Sequence, residues 1–466
     1  MKRSSVRQQP KRRGLARQQQ KRQKRARRIR AQKVPFRQAL RQFLTPQVFK
    51  QGHQAWQTTH YDCSWSLKAL LWVLLYMTWG TGDSAVERFL AARLGFIAEH
   101  QHGQRPGDTW EGFQQALRRL PIPVFRALAA GLRQQVGRRW IEELRIGGWL
   151  PIGCDGSRLE CPRSEELEAR LGQAGKNDSP PMVYVTALVL LPLGLLWAWR
   201  LDKGTGNELQ HLTQMLPTLP EKSLLVADAF YLGYDLFSSI AANGTAFLVR
   251  TSSRAHLYTE SDVPLERFRE GWVRYWPERA AQEKGLPPLR LRLLRVGGGK
   301  VDVWLLTNLD KQQLPRRRAA QIYRWRWKNE GLFRTYKRTL KKMKLLHRTA
   351  ALVFREAEGS LLALQVLLAM TVQTMQQEKK TRGSPRRILL RIRGEILRGI
   401  AKLGPRQLLW YQEALEDIHD DNPGRTSSKT RRPWPRRKEH KPPKPPKLRR
   451  LSAEQKKLMA KTLGAT

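Results

Sequence analysis

The longest apolar run, "VYVTALVLLPLGLLWAWRL" at residues 183–201, constrains this chain most. Its length would suit a membrane-spanning helix, which needs about 20 apolar residues. "PLG" at 192–194 divides it, however, and β-branched residues fill its first half. Pro and Gly mark a turn, and two short apolar strands flanking a turn make a buried hairpin. A hairpin of this kind needs cover on both faces, so no membrane span is expected. Around it, "GGWLPIGCDGSRL" reads as an extended run ending in Asp-Gly, and "GNELQHLTQML" as a helix. "KSLLVADAFY" is a short buried strand ending at Asp228, "GYDLFSSIAANG" a helix closed by Gly244, and "TAFLVRT" a further strand. The order β-β-β-α-β-α-β mixes a meander with βα units and predicts an α/β fold on a mixed five-stranded sheet.

Helices precede this sheet. "SLKALLWVLLYMTW" is a buried helix too short for a bilayer, and "DSAVERFLAARLGF" offers Asp83 as its N-cap. "TWEGFQQALRRL" and "PIPVFRALAAGLRQQVGRRWIEEL" follow at helical spacing, the second started by Pro121 and Pro123. After the sheet, residues 252–306 alternate in strand fashion, with "GGGK" as a turn. A basic helix begins near Pro315, and "RTAALVFREAEGSLLALQVLLAMTVQTM" packs behind it. The expected organisation is a disordered basic arm (1–33), a helical DNA-binding domain (34–148) and a core (149–251) with a β-rich insertion (252–306). The second part of the core (307–348), C-terminal helices (349–420) and a disordered basic tail (421–466) complete it.

Charge narrows the partner. The chain carries +48, and such an imbalance repels itself unless a polyanion neutralises it. Residues 1–33 hold fifteen Lys/Arg and no acid; residues 423–466 hold fifteen and two acids. The stretch between keeps +20, so the folded part needs a basic face of its own. Nucleic acid fits best, an anionic membrane surface less well. Three cysteines, Cys63, Cys154 and Cys161, make neither a disulfide framework nor a zinc site and suit a reducing compartment. The basic N-terminus lacks the apolar segment of a signal peptide.

Residues 315–348 contain thirteen basic residues and a single acid, Glu330. On a helix of about 100° per residue, Arg326, Glu330, Arg334, Lys337 and Lys341 share one face with Tyr323. Ile322, Trp325, Leu332, Tyr336, Leu340 and Met343 share the other. One carboxylate in a track of cations suits a metal held among phosphates; a solvated helix face is the plainer alternative. Asp155 and Asp228 each end an apolar run, where open α/β sheets gather their sites. Either aspartate alone reads equally as a turn or helix cap. Together the three carboxylates suit divalent cations for phosphoryl transfer. Glu208 reads as a cap at a helix start, with an approach to the site as the alternative, and His211 and His256 as ordinary residues.

The stretch "YRWRWKNEGLFRTYK" resembles the Y-x2-R-x3-E-x6-K signature of IS4-family DDE transposases, with Tyr323, Arg326, Glu330 and Lys337 at the four positions. The likeness runs back, in order, through "CDGSRLECPRS", "LLVADAFYLGYDLF", "AFLVR" and "VWLLTNL". Asn329 and Gly331 depart from the usual pattern. The resemblance implies an RNase H-like core with a β insertion before the Glu-bearing helix. It implies Asp155, Asp228 and Glu330 as catalytic, metal-binding triad for two Mg2+ ions, with Mn2+ able to substitute. Partners would be DNA, both terminal inverted repeats and target, bound by a homodimer on paired ends. Cut-and-paste through a hairpin would place Tyr323, Arg326 and Lys337 on phosphates. Trp304 would stack a flipped base, with Trp272 and Trp276 in reserve. Localisation would be cytoplasmic and nucleoid-associated in a prokaryotic host. A nuclease without strand transfer, or an inactive DNA-binding protein, are the alternatives.

Overall fold

A computed structural model describes residues 36–56, 64–100, 105–172, 174, 179–259, 264–297, 302–377, 383–403 and 444–464. The expected basic arm, Cys63 and most of the "GGGK" turn lie outside the described residues.

The 183–201 run is a hairpin. Strands β2 (Met182–Leu190) and β3 (Leu195–Lys203) pair antiparallel around a turn closed by Gly194 at φ +70°. Glycine takes that left-handed conformation without a steric penalty. Among the described residues no helix is long and apolar enough to cross a membrane. Strand β1 (Leu150–Glu160) pairs antiparallel with β2 and parallel with β4 (Ser223–Ala227), which pairs parallel with β5 (Ala246–Arg250). The extended run does not end at Asp-Gly as expected: β1 continues through Asp155 and Gly156 to Glu160.

The sheet has ten strands, not five. Its order is β10-β6-β7-β8-β9-β5-β4-β1-β2-β3. The insertion extends the core sheet because β9 (Asp302–Thr307) returns antiparallel beside β5. That pairing covers backbone groups that an edge strand would leave open. β8 (Leu289–Gly297), β7 (Glu270–Tyr275) and β6 (His256–Thr259) follow outward. Residues expected as disordered tail supply β10 (Lys447–Arg450), parallel to β6, and a helix at Ala453–Gly464. Leu451 anchors them in a buried cluster with Tyr258 and Trp276.

The helices before the sheet share its core. Leu67–Trp79 is buried on nearly every side. Ala85–Glu99 starts at Ser84 rather than Asp83: Ser84 accepts from the Glu87 amide while the Glu87 carboxylate accepts from the Ser84 amide. This reciprocal capping box satisfies two amides that the helix leaves free. The long helix Ala350–Gln377 lies between these helices and β3, and its apolar side chains join both to one continuous core.

The basic helix is interrupted. Helix α10 (Arg316–Arg324) and helix α11 (Trp327–Arg334), counting helices along the described chain, meet at a tight turn. There Arg326, Lys328 and Asn329 donate to carbonyls three residues back. A wider π turn, Thr335–Thr339, follows, and Lys341 leaves the helix at φ +54°. Tight and wide turns break the constant 100° step. Ile322, Leu332, Tyr336 and Leu340 are buried as expected, but Met343 is exposed.

Candidate active site

Register builds the site. Gly153 pairs with Val226 across the parallel strands β1 and β4; carried on two residues, just past the end of β4, this register brings Asp155 level with Asp228. Ala227 pairs with Val249 across β4 and β5; one residue on, Asp228 stands opposite Arg250. Neighbouring strands lie about 4.8 Å apart, so two acids and a base line up where β4 and β5 end beside the middle of β1. Each aspartate has one oxygen fixed locally. Asp155 Oδ1 accepts from the Gly156 amide at 3.0 Å, and Asp228 Oδ1 accepts from the Phe230 amide at 2.8 Å. Asp228 thereby does cap a short 3-10 turn, Ala229–Tyr231.

The pair is electrostatically loaded. Burial pushes the Asp155 carboxyl up to about 6; the Gly156 amide and Arg326 oppose this, while Glu208 and Asp228 reinforce it. Like carboxylates in a partly buried site favour a counter-charge, and a divalent cation with its preference for oxygen ligands supplies one. The residues present therefore fit a metal at Asp155 and Asp228. Among the described residues no three Asp, Glu, His or Cys side chains converge on a metal position.

Glu330 is exposed on α11, one turn beyond Arg326. Its neighbour Asn329 explains how α11 is seated. Asn329 is fully buried, and its Nδ2 donates to the Cys154 carbonyl at 3.3 Å. A Cβ at Gly153 would lie 2.5 Å from Asn329 Oδ1, so a side chain there would displace the Asn329 amide. Lys328 Nζ donates to the Pro192 carbonyl at 2.6 Å and ties α11 to the β2–β3 turn. The Arg326 guanidinium lies over the rings of Tyr323 and Trp327 at 5.9 and 5.4 Å, and its Nε is buried without a hydrogen-bond partner. Burial pushes the Tyr323 hydroxyl up, as does Asp228, while Arg326 and Arg250 oppose the shift. Tyr323 and Arg326 thus border the aspartates.

The other basic residues lie farther along. Arg334 is exposed at the end of α11, Lys337 is half-buried in the π turn, and Lys341 is exposed beyond it. Burial lowers the Lys337 ammonium, with Glu160 opposing. Trp304 is only 6% exposed, packed near Phe268 and under the Arg295 guanidinium. A stacking base would have to displace those neighbours. Trp276 is buried and donates to the Leu286 carbonyl. Trp272 is 40% exposed, with Arg290 over its ring at 4.6 Å.

Residues 154–366 match the family described as "Transposase DDE domain". The matched segment opens at Cys154 and ends inside the long helix, so it takes in Asp155, Asp228 and Glu330. It spans slightly less than half of the chain. One solved structure with a similar course is described as "Cryo-EM structure of piggyBac transposase synaptic complex with hairpin DNA". Its TM-score is 0.40 at 10% identity, covering 85% of this chain and 87% of that one. No curated protein matches the sequence.

Within the matched segment, the sequence singles out Glu208 but not Arg250. Arg250 was legible in principle: "AFLVR" ends in a charge where "WLPIGCD" and "SLLVAD" do. Glu208 is the first residue of helix α8 (Glu208–Met215), but Asn207 caps that helix, and Glu208 itself is buried at 8% exposure. Its carboxylate accepts from the hydroxyls of Tyr184 and Tyr231.

Proposed function

We propose that the chain is an IS4-type DNA transposase, binding terminal inverted repeats and catalysing strand cleavage and strand transfer by a cut-and-paste route through a hairpin. The observation that carries the reading is the register that sets Asp155 opposite Asp228 beside Tyr323 and Arg326, within a segment matching a transposase DDE domain. The strand order β3-β2-β1-β4-β5, antiparallel and then parallel, supports an RNase H-like core.

Asp155 and Asp228 would hold divalent cations, Mg2+ or Mn2+, with Glu330 the residue to complete the set. Bound there, the ions would supply Lewis-acid activation of water and of a DNA 3′-hydroxyl. The chain's own residues position the DNA. Arg250 and Arg326 place positive charge where a scissile phosphate would approach the aspartates, and Tyr323 offers a hydroxyl beside them. Arg334, Lys337 and Lys341 continue that charge along the flanking strand. Trp272, 40% exposed against 6% for Trp304, is the more accessible ring for base stacking, with Arg290 over one face. A homodimer on paired ends, acting at the nucleoid, completes the proposal.

The test is a gel assay on DNA carrying element ends. Asp155→Asn, Asp228→Asn and Glu330→Gln should each abolish Mg2+-dependent cleavage while end binding persists. If Glu330 were merely a surface acid, its exposed ion pairs would be worth about 0–1 kcal/mol and Glu330→Gln would cut normally. Cleavage at wild-type rate by any of the three variants would refute the site. Cut ends that never join target DNA would leave a nuclease.

A further inference from the structure

The buried Glu208 lies outside the expected triad, yet the structure links it to both aspartates. Tyr184 Oη donates to one of its oxygens and Tyr231 Oη to the other. Tyr231 Oη in turn accepts from the Cys154 thiol at 3.2 Å. Cys154 immediately precedes Asp155 on β1. Tyr231 closes the 3-10 turn that Asp228 caps. The chain Cys154–Tyr231–Glu208 therefore joins the backbone of one aspartate's strand to the turn that follows the other.

Close packing holds this chain in place. A Cβ at position 156 would overlap Tyr184 Oη and lie 2.7 Å from the Glu208 carboxyl carbon. The glycine next to Asp155 is thus what admits the network. The Arg158 guanidinium covers the Tyr184 ring at 5.0 Å. On the same face of α8, His211 Nδ1 lies 2.9 Å from Thr186 Oγ1, and this fixes the helix against β2. Burial raises both tyrosine hydroxyls far above their ordinary range, so they stay protonated donors. Glu208 has both oxygens engaged by donors, which suits a support rather than a ligand.

We propose that Glu208 is a positioning residue, which through Tyr231 and Cys154 sets the separation of the Asp155 and Asp228 carboxylates. This inference rests on the proposed transposase reading. Partners that orient metal-binding side chains typically change metal affinity about 10–100-fold when removed. The two tyrosines provide an internal control. Each gives Glu208 one hydrogen bond, but only Tyr231 also accepts from Cys154 and closes the turn that Asp228 caps, whereas Tyr184 only packs against Gly156.

The experiment compares full-length wild type, Asp155→Asn, Glu208→Gln, Tyr184→Phe and Tyr231→Phe. Free Mn2+ is titrated and followed by electron paramagnetic resonance, with thermal unfolding recorded alongside. Mn2+ affinity should fall about tenfold or more in Tyr231→Phe and Glu208→Gln, and much less in Tyr184→Phe. End cleavage by Tyr231→Phe should recover at high Mn2+. Equal affinities in Tyr184→Phe and Tyr231→Phe, whether both reduced or both unchanged, would overturn the inference while leaving the site standing. Wild-type binding that is absent, or that survives Asp155→Asn, would overturn the proposed function and this inference with it.

Discussion

Glu356 should be the most sensitive point behind the basic helix. It sits on the long helix and accepts four hydrogen bonds: from Lys342 Nζ at 2.6 Å, His347 Nδ1 at 2.9 Å, and the amides of Leu346 and His347 at 2.8 and 3.1 Å. The Lys342 and Glu356 side chains are 4% and 5% exposed. Together these bonds hold the segment that leaves the π turn and bridges to β1 at Glu160. Glu356→Gln keeps the size but removes the charge, and its amide nitrogen must face another donor. Breaking one side of a buried ion pair costs about 3–5 kcal/mol, a large share of the roughly 5–15 kcal/mol that stabilises a domain. Lys342→Met in the same background should recover part of that loss, because the lysine is then no longer buried without its partner. The pH dependence follows. Burial pushes the Glu356 carboxyl up, but Lys342 and His347 outweigh it and hold the group well below the usual carboxylate range. A depressed folded pKa gives stability that is present above about 4.5, the ordinary value, and lost as pH falls below it. Urea unfolding of the single and double variants, at neutral pH and at pH about 3, measures both effects. A Glu356→Gln midpoint equivalent to less than about 1 kcal/mol, with no coupling to Lys342, would refute the reasoning.

Glu358, two residues on and facing nearly the opposite way round the helix, should behave with the opposite sign. Burial pushes its carboxyl up to about 7, against the Trp199 donor and the charges of Arg126 and Arg200. Its folded form therefore holds a proton longer than the unfolded chain, and stability falls as pH rises from about 4.5 to 7. Glu358→Gln should be more stable than wild type at pH 8 by about 3 kcal/mol and indistinguishable near pH 4; parallel pH profiles in thermal melts would exclude this. Gly156→Ala should destabilise by about 1–3 kcal/mol through overpacking and reduce cleavage more than stability alone predicts, as paired melts and gel assays would show. Trp304→Ala should cost about 3–5 kcal/mol in stability as a core truncation, seen by urea unfolding. Trp272→Ala should leave the fold intact and weaken binding of single-stranded end DNA by about 1–3 kcal/mol, seen by fluorescence titration.

The sequence by itself determined the local chemistry. The lengths of its apolar runs made strands of "WLPIGCD", "SLLVAD" and "AFLVR", and "PLG" turned the 183–201 run into a hairpin. Such features depend on residues within one or two turns of chain. Charge was equally legible, because composition needs no geometry. Tertiary structure decided which side chains meet. Only the β1–β4 and β4–β5 registers bring Asp155, Asp228 and Arg250 into one row. A one-residue slip would turn each side chain to the opposite face. Only the return of β9 beside β5 made the insertion part of a ten-stranded sheet. The seating of Asn329 against Gly153 placed α11, and the break at Trp325 and Arg326 changed a face that looked continuous at constant pitch. Locally, Glu208 could be read as a helix cap or as a residue approaching the site. Its partners lie 24 and 23 residues away along the chain, and a buried carboxylate reads like a helix cap until the tyrosines that enclose it are in place.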